Sequence, residues 1–354
     1  MESPVLSPPV NKVKPRGRTG VLLVNLGTPD SPSVPDVRKY LREFLMDGRV
    51  VDIPAIPRFL LVNGIIAPFR GPKSAKVYKE LWTERGSPLK YYGVAAERLL
   101  QERLGTDDYE VKLAMRYQSP SIQDGLAHFQ RLGLTEIIVI PFFPQYASAS
   151  TGSVYEKVMD ILKAWQVMPQ LRFVNSFHDH PLFIEGFVNL GKKYLSERHY
   201  DHVLFSYHGL PERQIRKGDV TKQVCKLGDC CGSLTAMNQH CYRAQCFETT
   251  RQLVKHLGIP EGNYTTCFQS RLGNDPWVKP YTDDVIPELA KKGVKSVLAF
   301  SPAFVADCLE TTIEVGEEYK ELFEKHGGDH WQLVESLNDS PIWIDLLTDL
   351  VKKG

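Results

Sequence analysis

The chain has 354 residues, 42% of them hydrophobic and 24% charged, with a formal net charge of +1. That length suggests two domains, each able to bury its own core. The near-neutral balance excludes the marked basic excess of a nucleic-acid-binding protein, and no run approaches the roughly 18 to 20 apolar residues of a membrane span.

The first stretch, MESPVLSPPVNKVKPRGRTG, has no apolar core of a secretory signal, and its prolines and basic residues predict a disordered tail over 1–19. Without a signal, the expected compartment is the reducing cytoplasm, where structural disulfides are rare. GVLLVNLGTP (20–29) is an apolar strand run closed by Gly and Pro. IPAIPRFLLVNGIIAPFRGPK (53–73) is apolar, broken by proline and flanked by Arg58, Arg70 and Lys73. It reads either as a lip, resting on an anionic membrane surface or admitting an apolar ligand, or as a buried helical hairpin. Further strand runs follow at 109–115, 135–143, 171–177, 202–208, 264–270 and 295–302. Helical spacing separates most of them, as in VAAERLLQERLG and CFETTRQLVKHLG, the latter closed by Gly258 and Pro260. Buried strands alternating with helices predict parallel α/β sheets.

The two halves resemble each other. VLLVNLGTP (21–29) aligns with HVLFSYHGLP (202–211), and GLTEIIVIPFF (133–143) with GVKSVLAFSPAF (293–304). The expectation is a duplicated α/β domain, 20–174 and 175–354, with the final helix packing back on the first. In open α/β sheets ligands lie beyond the carboxyl ends of the strands. The chemistry is therefore expected between the domains, near His208, 144–150 and 302–310.

His208 ends a strand ahead of Gly209 and Pro211. A lone histidine is commonly a structural group, but one at a cleft can serve as a base or a nitrogen ligand. On an α-helix, Glu310, Glu314, Glu317 and Glu321 fall at steps of 4, 3 and 4 and share one face. That stripe is either a solvated acidic face or a path for protons or a divalent metal. Arg116 and Tyr117 close the second strand, Tyr146 with Ser148 and Ser150 the third, and Arg271 and Trp277 sit on a loop. They suit an extended aromatic or anionic ligand.

Taken together, LVNLGTP, RY at 116–117, PFFPQYASAST, SYHGLPERQIRKGD, FQSRLGNDPW with PYTD, and PAFVADCLET resemble ferrochelatase, in the family's order from about Gly20 to the C-terminus. The resemblance implies two Rossmann-like domains clamping a porphyrin, with Fe²⁺ inserted and two protons released to give protohaem. His208 matches the family's active-site histidine and Glu310 its partner carboxylate, each a candidate contact for the substrate iron or for a pyrrole proton. Leu26, Arg70, Ser87, Tyr117, Trp277, Phe304 and Asp307 match positions lining the porphyrin pocket or its mouth. The N-terminal wording is that of the protoporphyrin IX branch rather than the coproporphyrin branch. Residues 53–73 become the lip facing the membrane, placing the protein in the cytoplasm or peripherally at the inner face of the cytoplasmic membrane, as monomer or homodimer. Cys308 stands where some relatives have histidine. A cobalt or other tetrapyrrole chelatase shares this logic, and a non-catalytic redox sensor would make the cysteines the function instead.

Five of the seven cysteines crowd into CKLGDCCGSLTAMNQHCYRAQC, 225–246. Their spacing, C-x₄-C-C-x₉-C-x₄-C, suits four thiolate ligands, and spacing alone does not separate iron–sulfur from zinc or from no metal. The cluster of animal relatives needs a cysteine where this chain has Ser148 and others near the C-terminus, so that arrangement is excluded. Bacterial relatives with internal cysteines imply a [2Fe–2S] cluster here. Cys225, Cys230, Cys241 and Cys246 are its expected ligands, with Cys231 as the alternative to Cys230.

Overall fold

The computed structural model describes residues 18–271, 273 and 275–353. All but the last two residues of the expected N-terminal tail lie outside them.

Eight parallel strands form two sheets. β1 (Thr19–Gly27), β2 (Tyr109–Tyr117), β3 (Glu136–Pro141) and β4 (Gln170–Phe173) build the first, in the order β2-β1-β3-β4. β5 (His202–His208), β6 (Tyr264–Gln269), β7 (Ser296–Phe300) and β8 (His330–Leu333) build the second, in the corresponding order β6-β5-β7-β8. The duplication read from sequence is thus a duplication of topology. β1, β3, β5 and β7 are almost wholly buried, as continuous apolar strands between helical layers must be. β8 was not anticipated: HWQL is four residues long and mostly half-exposed, so it lacks an apolar run.

One large core runs through both halves. The last helix, Pro341–Lys352, joins them: Trp343 meets Phe142 of the first half edge-on at 5.1 Å. Arg172 on β4 donates to the carbonyls of Leu350 and Val351 at 2.8 and 2.6 Å, closing the helix's C-terminal end.

Residues 55–81 form a continuous helical rod: an α-helix (Ala55–Leu60), a π-helical turn (Leu61–Ile66) and a longer α-helix (Ala67–Leu81). Pro72 cannot donate to the carbonyl of Pro68, and Arg38 supplies a hydrogen bond to that oxygen at 3.1 Å. Ile56, Phe59, Leu60, Ile65 and Phe69 project into solvent, Ile56 and Phe69 being 76% and 77% exposed. The buried-hairpin alternative therefore fails, and the segment presents an apolar ridge. Arg70 and Lys73 are exposed beside it, whereas Arg58 turns back to cap the carbonyls of Val51 and Ile53. The base of the rod is tied to the second half through Asp52, which accepts from Arg213 at 2.5 Å and Lys217 at 2.7 Å. Among the described residues no helix is long and apolar enough to cross a membrane.

Candidate active site

His208 is the last residue of β5, paired in register with Gln269 at the end of β6. Its Nδ1–H donates to the carbonyl of Gly209 at 2.7 Å. That bond selects the tautomer whose Nε2 carries the lone pair, the state of a base or nitrogen ligand. Gly209 is compressed between the Gln269 carbonyl and the Trp277 ring: a Cβ there would sit 2.8 Å from the first and 3.1 Å from the second. The Phe304 ring lies 6.5 Å from the imidazole, edge-on.

Gln269 joins the histidine strand to the carboxylates. Its Nε2 donates to the backbone carbonyl of Glu310 at 3.1 Å and to the Glu314 carboxylate at 3.2 Å, while Ser206 donates to its Oε1. Residues Leu309–Glu318 form a π-helix rather than an α-helix. With i→i+5 hydrogen bonding, more than four residues fill each turn. The shared face therefore runs Glu310, Glu314, Glu318 and on to Glu321, with Glu317 displaced from it. Glu317 turns instead to a separate cavity of about 290 Å³ beside Asp307 and Glu335, and Glu321 lies on the following α-helix, Tyr319–Lys325. Burial first, and then the charges of Glu314 and Glu321, push the Glu318 carboxyl above its ordinary value, with Lys73 opposing. Glu314 is held by the Ser270 amide at 2.8 Å, the Ser270 hydroxyl at 2.5 Å and the Tyr319 hydroxyl at 3.0 Å. Gln269 and Ser270 were not singled out as site residues in sequence, although both lie in FQSRLGNDPW. Burial, and then the neighbouring Glu310 charge, push the Cys308 thiol well above the ordinary thiol range.

Several expected pocket residues serve the scaffold. Asp47 accepts from Arg116 at 2.6 Å, Tyr117 at 2.9 Å and Ser153 at 2.5 Å. Arg116 is thereby committed inside the first half and Tyr117 is fully buried, so neither lines an open pocket here. Ser87 is buried and accepts from Thr28 at 3.0 Å. Asp307 is spent on Asn338 and the Ser336 amide. Leu26, Tyr146, Trp277 and Phe304 remain partly accessible, and Arg70 is exposed.

The cysteine segment folds as an irregular excursion between the helices Glu212–Gly218 and Tyr242–Leu257. Its entry is fixed by Asp219, which accepts from the amides of Thr221, Lys222, Val224 and Cys225. The expected ligands differ in setting: Cys225, Cys230 and Cys241 are half-buried, whereas Cys231 and Cys246 are buried. The Cys231 sulfur lies 3.8 Å from that of Cys230, to which the Lys226 amide donates at 3.3 Å. Cys246 points into the apolar core, fully buried against Tyr242. The donor set suits a metal that takes thiolates, yet among the described residues no three His, Cys, Asp or Glu side chains converge tightly enough to hold an ion.

Twin parallel sheets, with a histidine and a carboxylate helix beyond the strand ends of the second, make up a two-domain chelatase-type fold. The fold is similar to that of the solved structure of SirB from Bacillus subtilis with Fe³⁺ (TM-score 0.52, 11% identity, 95% of each chain covered). The sequence profile of the ferrochelatase family matches residues 18–354. Relatives named ferrochelatase include one from Legionella pneumophila strain Lens, 44% identical over 95% of this chain and 99% of the relative. Another, from Coxiella burnetii strain Dugway 5J108-111, is 41% identical over 97% and 95%. The chain belongs to the ferrochelatase family and is an enzyme that inserts iron into a porphyrin.

Proposed function

We propose that the substrate is protoporphyrin IX, held between the two halves, and that His208 and Glu310 carry the exchange of two pyrrole protons for Fe²⁺. The observation that carries this reading is the Nδ1–H bond from His208 to the Gly209 carbonyl, which leaves Nε2 with its lone pair. Nε2 accepts one N–H proton from the macrocycle. Glu310 receives the iron or the second proton, and the stripe through Glu314 to Glu318 relays protons or iron between this point and solvent. A planar free-base porphyrin keeps its lone pairs in the ring plane. Side chains such as Leu26, Trp277 and Phe304 would hold it distorted, spending remote binding energy on the strain. The test is haem formation from Fe²⁺ and protoporphyrin IX by His208→Ala, with coproporphyrin and Co²⁺ as competing substrates. Turnover near wild type would remove His208 from the mechanism. Faster use of coproporphyrin or Co²⁺ would replace the substrate.

The cysteine segment, in the same reading, holds a resident [2Fe–2S] centre. Cys225, Cys241 and Cys246 are three of its ligands, and Cys230 or Cys231, whose sulfurs lie 3.8 Å apart, the fourth. Protein purified without oxygen should show the visible charge-transfer bands of such a centre; a colourless protein containing zinc would overturn it.

The apolar ridge at 55–69, flanked by Arg70 and Lys73, supports peripheral docking on an anionic membrane surface, where a hydrophobic porphyrin partitions.

A further inference from the structure

The helix Tyr242–Leu257 bonds to both halves. Its Tyr242, Gln245 and Thr249 fall at steps of 3 and 4 and share a face. All three are buried, Gln245 and Thr249 completely. Tyr242 donates to the carbonyl of His208, the strand end of the second half, at 2.7 Å. The other two turn to the first half, at the corner that follows β3. The Gln245 Oε1 accepts from the Tyr146 amide at 2.6 Å and its Nε2 donates to the Gln239 carbonyl at 2.6 Å, so both ends of the side-chain amide are committed. Thr249 accepts from the buried Gln145 side chain at 3.1 Å and donates to the His178 carbonyl at 2.9 Å. Gln145 also donates to the carbonyl of Pro302, just past β7, at 3.3 Å. Apolar contacts between the halves, such as that of Phe142 with Trp343, tolerate a small slide. Hydrogen bonds in a dry interior do not, because misalignment weakens them steeply and leaves buried groups unpaired.

We infer that Gln245 and Thr249 are positioning residues for iron insertion: they fix the Tyr146 corner of the first half against the strand end that bears His208, and so set the grip of the two halves on the macrocycle. The inference deepens the reading of a porphyrin held distorted between the halves, and it rests on that reading. Neither side chain is exposed, so neither touches substrate, whereas Tyr146, whose amide Gln245 holds, stays partly accessible. A bent macrocycle presses back toward planarity, and walls free to slide would let it relax. Rate then suffers more than binding, because the flat ground state asks less of the grip than the bent transition state. Misplacement by about 1 Å can cost about a hundredfold in rate, so loss of one registering bond should cost about tenfold.

The experiment compares Gln245→Met, Thr249→Val and Thr249→Ser with wild type, each checked for folding by thermal unfolding. Turnover is measured with Fe²⁺ and protoporphyrin IX. Affinity is measured for flat protoporphyrin IX and for an N-methylated protoporphyrin, which its own substituent holds bent. Gln245→Met and Thr249→Val should lose about tenfold in kcat with KM within twofold, and should lose the wild-type preference for the bent ring by a similar factor. Thr249→Ser keeps the hydroxyl and should stay within about twofold of wild type in both. A merely structural role would lower the unfolding temperature and leave the preference for the bent ring untouched; that result overturns the inference. So does a Thr249→Ser variant that falls as far as Thr249→Val. If Gln245→Met does not fold, the two Thr249 variants decide alone. Wild type without any preference for the bent ring overturns the distortion reading itself, and that failure is seen before any variant is compared.

Discussion

The Tyr242 hydroxyl donates to the carbonyl of His208 at 2.7 Å. Tyr242 follows Cys241 directly, so the helix closing the cysteine segment also braces the strand end that presents the histidine. Tyr242→Phe leaves a buried carbonyl short of its donor, a cost of about 1–3 kcal/mol. The His208 peptide is then held only by its strand, and turnover should fall several-fold with an unchanged KM for porphyrin. Steady-state kinetics and denaturant unfolding check both parts; unaltered turnover in a destabilised variant would show that the brace serves stability alone.

The π-helical period gives a sharper test of the carboxylate stripe. Glu314→Gln should lower iron insertion about a hundredfold, the low end for loss of a proton-transferring group. Glu318→Gln should act in the same direction. Glu317→Gln, off that face, should leave turnover within twofold. Equal effects of all three would restore the α-helical spacing as the relevant one and dissociate function from the π-helix.

That contrast shows where sequence was and was not legible. β1, β3, β5 and β7 could be read because strands covered on both faces are continuous apolar runs, and the paired Gly27/Gly209 and Pro29/Pro211 exposed the duplication. β8 could not, since its HWQL has no such run. Nothing in LETTIEVGEE announces i→i+5 bonding, so an α-helical wheel put Glu317 on the wrong face. Arg116 and Tyr117 looked like ligand contacts because sequence does not show Asp47, nearly 70 positions earlier, waiting for both. Among the cysteines, spacing does not show burial: Cys246 sinks into the core and Cys231 is buried, while Cys225, Cys230 and Cys241 stay partly accessible.

Asp47 gives a pH-dependent prediction. Burial works to raise its carboxyl, but hydrogen bonds from Ser153 and the Arg49 amide, the Arg116 charge and the Tyr117 hydroxyl outweigh it and hold the group below its ordinary value. A carboxyl depressed in the folded state contributes stability fully above its unfolded pKa of about 3.9 and loses it as pH falls through the folded value. Asp47→Ala also strands the mostly buried Arg116 guanidinium, at a cost of about 3–5 kcal/mol. Unfolding free energies of wild type and variant, measured from pH 7 downward, should draw together as pH falls below about 3.9. A constant gap would mean that Asp47 acts through packing and not through charge.

The lip prediction separates apolar from electrostatic docking. Phe69 and Ile65 are exposed, so replacing both by Asp removes no core contact and should leave thermal unfolding unchanged. It should abolish co-sedimentation with vesicles containing anionic lipid, because the ridge can no longer enter the interface. Arg70→Ala with Lys73→Ala should weaken binding to anionic vesicles by about 1 kcal/mol per charge while leaving the weaker binding to neutral vesicles unaltered. Raising the salt concentration should erase the difference between that variant and wild type, since such attraction decays within a Debye length of about 8 Å at physiological ionic strength. If the aspartate variant still sediments with vesicles, the ridge is not the docking surface.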